Sequence, residues 1–328
     1  MTQCPDVLVV GAGVTGLTTA VCLAEQGLPV LVRAAEAPRD TTSAVALAVL
    51  MGPSLAPPEE ADSWPPIETT MRWHREGVAE FTALAGRPGT GVSVMPGRWA
   101  SHREGEDIAW ARDTPGYRPC TPEEHAGFAA AFWMSAPVVD MRAYLDHLAA
   151  RLAAAGGVLE IARVASLAEA AEQAPVVVNC TGAEARHLAD DPEVHAVRGQ
   201  HVVVENPGLD SYFFQFSRAK AMTMFMPHGD RLVLGGNAGR DDWSREPDPV
   251  QTEEIIARCA AVEPRIAAAR VLGVEVGFRA SRSAIRLAEE RLGDTRVVHN
   301  YGHSGAAVAF SWPCARAVAR QVLQPARV

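Results

Sequence analysis

Gly11-Ala12-Gly13-Val14-Thr15-Gly16 places three glycines at the spacing G-x-G-x-x-G. In such a turn the first glycine permits a tight bend, and the second lets backbone approach a pyrophosphate. The third lets a helix pack closely on a strand. A helix opening at Val14 would offer unpaired N–H groups and a positive dipole end to an anion, so Ala12, Val14 and Thr15 take part through backbone. An acidic residue about 20 positions on commonly holds the adenosine ribose. Glu36 stands at that distance from Gly16, with a solvated loop glutamate as the other reading. Hydroxyls gather at Thr41, Thr42 and Ser43, residue types suited to phosphate oxygens. His299 and His303 are four apart, a spacing that on a helix could hold a metal, but Gly302 interrupts the segment and no carboxylate is close in sequence. No metal site is expected.

The surrounding pattern says which elements position these residues. Val7-Leu8-Val9-Val10 is a continuous apolar run, as in a strand buried on both faces of a parallel sheet. Val14, Leu17, Val21 and Ala24 then mark one face of a helix ending near Gly27, and Pro29–Val32 reads as the next strand. This strand–turn–helix–strand context makes the glycine motif specific. A plain nicotinamide fold would continue with βαβ units; here an apolar segment Ala44–Met51 and a proline-rich stretch from Pro53 to Pro66 follow instead. The αβ pattern resumes with a helix over Tyr144–Ala155, a strand at Val158–Ile161 and the strand Val176–Asn179. A dinucleotide domain interrupted by a long insertion points to a two-domain flavoenzyme. The fold class expected is α/β: a Rossmann-type domain plus an α+β domain with a mixed or antiparallel sheet.

The chain has 328 residues, 48% hydrophobic and 21% charged, with a net charge of −9. That balance fits a globular protein and opposes nonspecific binding to nucleic acid or an anionic membrane. No apolar stretch approaches the ~20 residues that span a bilayer, and the N-terminus lacks a charged secretory start. The cysteines at 4, 22, 120, 180, 259 and 314 form no close pairs, so neither a zinc site nor a disulfide framework is indicated, and a reducing cytoplasm is expected. The 30 Lys plus Arg include a single lysine, Lys220.

Val178-Asn179-Cys180-Thr181-Gly182, Arg198-Gly199-Gln200, Val276-Gly277-Phe278-Arg279, Ile285-Arg286-Leu287 and Val298-His299-Asn300-Tyr301-Gly302-His303-Ser304-Gly305 follow one another in this order. Together they resemble the D-amino-acid oxidase family, which includes D-aspartate oxidase, from Val7 to about Ala319. The resemblance implies non-covalent FAD and a discontinuous FAD-binding domain (1–52, 138–188 and 294–328). It also implies a substrate domain (53–137 and 189–293) that roofs the flavin. It places Val164 beside the adenine and Thr181, Gly182, Gly302, His303, Ser304, Gly305 and Ala306 against the cofactor. Arg286 aligns with the arginine that grips the substrate carboxylate, and the Gly305 carbonyl with the acceptor for the substrate amine. The implied reaction is hydride transfer from Cα to flavin N5, hydrolysis of the imino acid to a 2-oxo acid and ammonia, and reduction of O2 to H2O2.

Departures from the family bear on the substrate. Met224 and Lys220 fall where typical members carry two pocket tyrosines, and Met222, Met224 and Met226 form a stripe that reads either as core or as an adaptable apolar wall. Lys220 reads either as facing a second anionic group or as solvated. The arginine of D-aspartate oxidases aligns with Ala238, two residues from Arg240. Residues 206–217 are short for a mobile lid, Ala46–Val49 replaces a glycine-containing flavin segment, and alanine and proline stand at 307 and 313 where the family has glycine. Pro313 should kink the last helix or break it. The reading is an FAD-dependent amino-acid oxidase whose substrate is a small molecule other than the usual small D-amino acids, with O2 as co-substrate and the oligomeric state open. The alternatives are a biosynthetic flavoenzyme acting on a modified or glycine-like amine, and a silent FAD-binding protein.

Overall fold

A computed structural model describes residues 5–51, 66–102, 109–125, 127–216 and 221–324. Lys220 lies outside the described residues, as do most of the proline-rich stretch and Ser217. Val7–Val10 is fully buried, as its unbroken apolar sequence requires, and pairs in parallel with Val30–Ala34 on one side and Val176–Asn179 on the other. Thr295–His303 and Val158–Ile161 extend this parallel array at its two ends. The array therefore draws on three separated stretches of chain. The first helix, Val14–Ala24, starts directly after Gly13, and the helix Met141–Ala154 is capped by Asp140, whose side chain accepts the N–H groups of Arg142 and Ala143.

The sheet does not end at Thr295–His303. That strand pairs antiparallel with the 22-residue strand Val271–Leu292, which bends between Ser281 and Arg286 where the register shifts. The first part of this strand pairs with His195–Glu205, and the sheet continues through Arg231–Asn237, Ala221–His228, Tyr212–Phe216, Val92–Ser101 and Ala130–Val139. One long strand thus joins the parallel half to the antiparallel half. Residues 212–216, in the segment read as a shortened lid, form a strand parallel to Gly97–Ser101. No described helix is long and apolar enough to cross a membrane.

The last helix, Ala307–Leu323, runs through Pro313 without a break. Proline lacks the N–H that the Ala309 carbonyl four residues earlier would accept. The helix Ile67–Leu84 packs against this position through Gly77, where a Cβ would lie 2.1 Å from the Ala309 oxygen. Only a bare α-carbon fits, and a Cα–H···O contact softens the loss of the helical hydrogen bond. Trp73, one turn earlier, meets Phe310 edge-on at 5.6 Å. Gly77→Ala is therefore expected to destabilise the fold by about 3 kcal/mol or more, beyond ordinary overpacking. Urea unfolding of the variant checks this; an unchanged midpoint would contradict the packing.

Candidate active site

A cavity of about 1160 Å³ opens where the parallel and antiparallel halves meet. Clefts for drug-sized ligands span roughly 300–1,000 Å³, so this one can hold a dinucleotide and a second, smaller molecule. One end is built from the glycine turn. Gly11 adopts φ +111°, open to glycine, and a Cβ there would lie 2.6 Å from the Cys180 carbonyl. Gly16 does not line the cavity. It sits behind it, where a Cβ would come within 1.9 Å of the Gly11 oxygen. Gly13 caps the first helix with no side chain, and Ser43 Oγ accepts the Val14 N–H at 2.9 Å, leaving later first-turn N–H groups for an anion.

Ala12, Val14, Thr15, Glu36, Thr41, Thr42, Ser43, Val164, Thr181 and Gly182 all line this same cavity. Glu36 sits two residues beyond the strand Val30–Ala34, exposed, with Arg245 Nη1 at 3.5 Å. The hydroxyls have protein partners as well: Thr41 donates to the Pro38 carbonyl, and Thr42 Oγ1 accepts the Phe278 N–H at 3.2 Å. Thr42 thus ties the nucleotide end to the long strand.

The opposite wall carries Gly302, His303, Ser304, Gly305 and Ala306 at the start of the last helix. A Cβ on Gly305 would meet nothing within 4 Å, so its backbone stands open to a ligand. Ser304 adopts φ +49°, a left-handed conformation costing about 1 kcal/mol or more for a non-glycine residue. Among the described residues, buried His303 has no partner for Nε2, and Asn300 Oδ1 is likewise unpaired. His299 belongs elsewhere: its Nε2 lies 2.9 Å from Glu290 and its Nδ1 3.3 Å from Asn179. Among the described residues no three His, Cys, Asp or Glu side chains gather as a metal site.

Arg286 is placed differently from its sequence assignment. It does not line the cavity. It donates to Tyr301 Oη at 2.7 Å and pairs with Glu290 at 2.8 Å and Asp191 at 3.4 Å. Its charge is already met by two carboxylates. After the register shift between Ser281 and Arg286 it pairs across the sheet with Tyr301, its guanidinium 5.8 Å from that ring. Tyr301 does line the cavity and donates to Asp191 Oδ2 at 2.8 Å.

The arginine that does reach the cavity is Arg279, seven residues earlier on the same strand. Its guanidinium lies over Gly199, where a Cβ would be 2.8 Å from Nη1, and Nη1 donates to the Asn237 carbonyl at 3.3 Å. Among the described residues it has no ion pair, and burial alone pushes its pKa below the ordinary arginine value. A partly buried cation lining a cavity without a counter-charge is costly, so the ligand is the natural source of one. Val276-Gly277-Phe278-Arg279 held the signal: this arginine sits in an apolar strand segment, whereas Glu289, Glu290 and Arg291 follow Arg286 closely.

Beyond Arg279 the cavity becomes apolar. Met222 and Met224 face it, while Met226 is fully buried among Trp99, Phe132 and Met134. The stripe is thus part wall and part core. Leu47, Val49, Met51, Trp99, Trp110 and Phe214 complete this end, and the two tryptophans, Phe214 and Arg279 were not singled out from sequence. Ala238 and Arg240 also border the cavity, with Arg240 half exposed beside Asp241.

Three buried histidines, His74, His201 and His303, are held neutral, each pushed from 6.5 down to about 4 by desolvation. A folded-state pKa depressed in this way contributes stability above the unfolded value of 6.5, which is lost as pH falls toward 4. The melting temperature is expected to drop steadily across that window. Thermal melts from pH 7 to 4 test this, and a flat profile would contradict it.

The family described as FAD dependent oxidoreductase matches residues 6–321. A D-amino-acid oxidase of Rubrobacter xylanophilus is 44% identical over 315 residues, covering 95% of this chain and 94% of its own. A D-amino-acid oxidase of Streptomyces coelicolor is 44% identical over 323 residues, covering 96% of each chain. Among solved structures, glycine oxidase from Geobacillus kaustophilus matches with a TM-score of 0.79 at 19% identity, over 98% of this chain and 96% of that one.

Proposed function

The chain belongs to the D-amino-acid oxidase family of FAD-dependent oxidoreductases, and from that premise we propose that it oxidises a D-amino acid with a neutral side chain of leucine size or larger. The cradle at Gly11 and Gly13, the open helix start at Val14 and the unpaired Nε2 of His303 fit FAD. Gly11–Thr15 would hold the pyrophosphate, Glu36 the ribose and Val164 the adenine side, with Ser304–Ala306 against the flavin. When bound, FAD would supply the acceptor for the substrate hydride and the route for its electrons to O2, giving H2O2. The segments 1–52, 138–188 and 294–328 make up the FAD-binding part of this reading, and 53–137 with 189–293 the substrate part.

The observation that carries the proposal is Arg279, partly buried and without an ion pair among the described residues, lining the same cavity as the open Gly305 backbone and the apolar side chains. Its planar fork would take the substrate carboxylate bidentately, a charge-assisted contact about twice as strong as a neutral hydrogen bond. The Gly305 carbonyl would accept from the neutral amine, fixing Cα between the two contacts. Met222, Met224, Trp99 and Trp110 would surround the side chain and exclude water. Catalysis on this reading is positioning and electrostatics, and the released imino acid hydrolyses to a 2-oxo acid and ammonia. A silent FAD-binding protein would have no use for a buried carboxylate anchor.

Hydrogen peroxide release by the yellow holoenzyme should be measured across paired D- and L-amino acids. Turnover of D-leucine, D-methionine or D-phenylalanine above D-alanine, with the L-forms inert, is the expected result. Activity confined to glycine-like amines would overturn the proposal in favour of the second enzymatic reading.

A further inference from the structure

The apolar end of the cavity contains one group that hydrocarbon recognition does not explain. His201 lies in the strand His195–Glu205, where Val197, Gly199 and His201 alternate onto the cavity face. The Arg279 guanidinium rests over Gly199, so the imidazole is its neighbour along the strand. On its other side His201 meets the apolar wall. A Cβ on Gly235 would lie 2.5 Å from Leu47 Cδ1, 2.9 Å from His201 Cδ2 and 3.2 Å from Met224 Cγ. The imidazole thus borders both the carboxylate anchor and the side-chain end.

Its tautomer is fixed by the chain. Nδ1 lies 2.9 Å from the Val45 carbonyl, which can only accept, so Nδ1 carries the proton and Nε2 is left as an acceptor. No described residue donates to Nε2. Nε2 lies beside Gly236, where a Cβ would be 3.5 Å away, and an acceptor on a residue lining the apolar end of the cavity discriminates strongly, because a ligand lacking a donor leaves it unpaired.

We propose that His201 is a specificity residue whose Nε2 accepts a hydrogen bond from an N–H on the substrate side chain, so that the enzyme selects an amide side chain over the near-isosteric hydrocarbon and over the carboxylate. A carboxylate of the same shape would set two acceptors against each other. The proposal rests on the amino-acid oxidase reading and on Arg279 as the anchor, and deepens it by naming the side-chain class.

D-Asparagine, D-leucine and D-aspartate are close in shape and differ in the chemistry that meets Nε2, so their ratios of kcat/KM isolate its contribution. His201→Phe keeps a ring but removes both nitrogens. It should lower the D-asparagine to D-leucine ratio by about tenfold to a hundredfold, the cost of an unpaired buried group. His201→Gln, with an amide oxygen to offer, should restore part of it. A merely structural role would lower both substrates together and leave the ratio unchanged, which would overturn the proposal. Wild type that oxidises D-amino acids with D-leucine or D-aspartate preferred to D-asparagine would overturn it too. Holoenzyme that oxidises no amino acid would overturn the parent reading as well. Should the Phe variant fail to fold, the wild type decides alone. Succinamate is expected to perturb the flavin spectrum at lower concentration than 4-methylpentanoate or succinate, and equal or reversed affinities would overturn the role of His201.

Discussion

Arg279→Met is expected to reduce kcat/KM for the best amino-acid substrate by roughly 30- to 5,000-fold, the range for losing one partner of a buried charge pair at about 2–5 kcal/mol. The flavin should stay bound, because the change leaves Gly11–Thr15, Glu36 and the hydroxyls at 41–43 in place. Methionine retains the bulk and removes the fork, so the loss reports on carboxylate recognition. Arg279→Lys keeps the charge without the bidentate geometry and should recover only part of the activity. Arg286→Met is expected to behave differently. Asp191 would keep Arg282 at 2.9 Å and the Tyr301 hydroxyl, so the change should fall on stability and on Tyr301, with a loss in kcat/KM below about tenfold. Steady-state kinetics on the three variants check the ordering. A larger loss at Arg286 than at Arg279 would return the anchor to the position the sequence first indicated.

Gly16→Ala should yield protein that is either flavin-free or unfolded. Its Cβ would stand 1.9 Å from the Gly11 oxygen and 2.9 Å from the Gly11 carbonyl carbon, both backbone atoms of the turn that must hold the pyrophosphate. Neither can rotate away, so the first helix would have to lift off the strand, and the cost exceeds the 1–3 kcal/mol typical of overpacking. Gly13→Ala is the informative contrast. There the nearest atom is Ser43 Oγ at 2.9 Å, a side chain that can turn aside, and weakened flavin binding is expected in a folded protein. The ratio of flavin to protein absorbance in the purified variants, with a thermal melt of each, separates the two outcomes. Gly16→Ala purified with a full complement of flavin would contradict the packing argument.

The nucleotide half was legible because its determinants are local. A buried strand, three glycines at fixed spacing and an amphipathic helix lie within residues 7–24, and each acts on its neighbours. The strand boundary shifted only slightly, from Val32 to Ala34, which brings Glu36 close to the strand end. The substrate half was less legible because its geometry is set by long-range pairing. Arg279 and Arg286 both sit in recognisable motifs on one strand. Which of them lines the cavity is set by the pairing of that strand with His195–Glu205 and Thr295–His303, long-range contacts that no local pattern announces. The same holds for Pro313. Its chemistry predicts a lost hydrogen bond, but the response depends on Gly77, 236 residues earlier, accepting the carbonyl's approach. Trp99 and Trp110 reach the cavity from a segment whose sequence gives no chemical signal.

The most direct test of Arg279 as the carboxylate anchor is a titration of the holoenzyme with 3-phenylpropanoate, a carboxylate with a bulky apolar tail and no amine to oxidise. The flavin spectrum reports whether it binds beside the ring. A saturable shift is expected in wild type and in Arg286→Met, and none in Arg279→Met at the same concentrations. A shift that persists in Arg279→Met and disappears in Arg286→Met would contradict it.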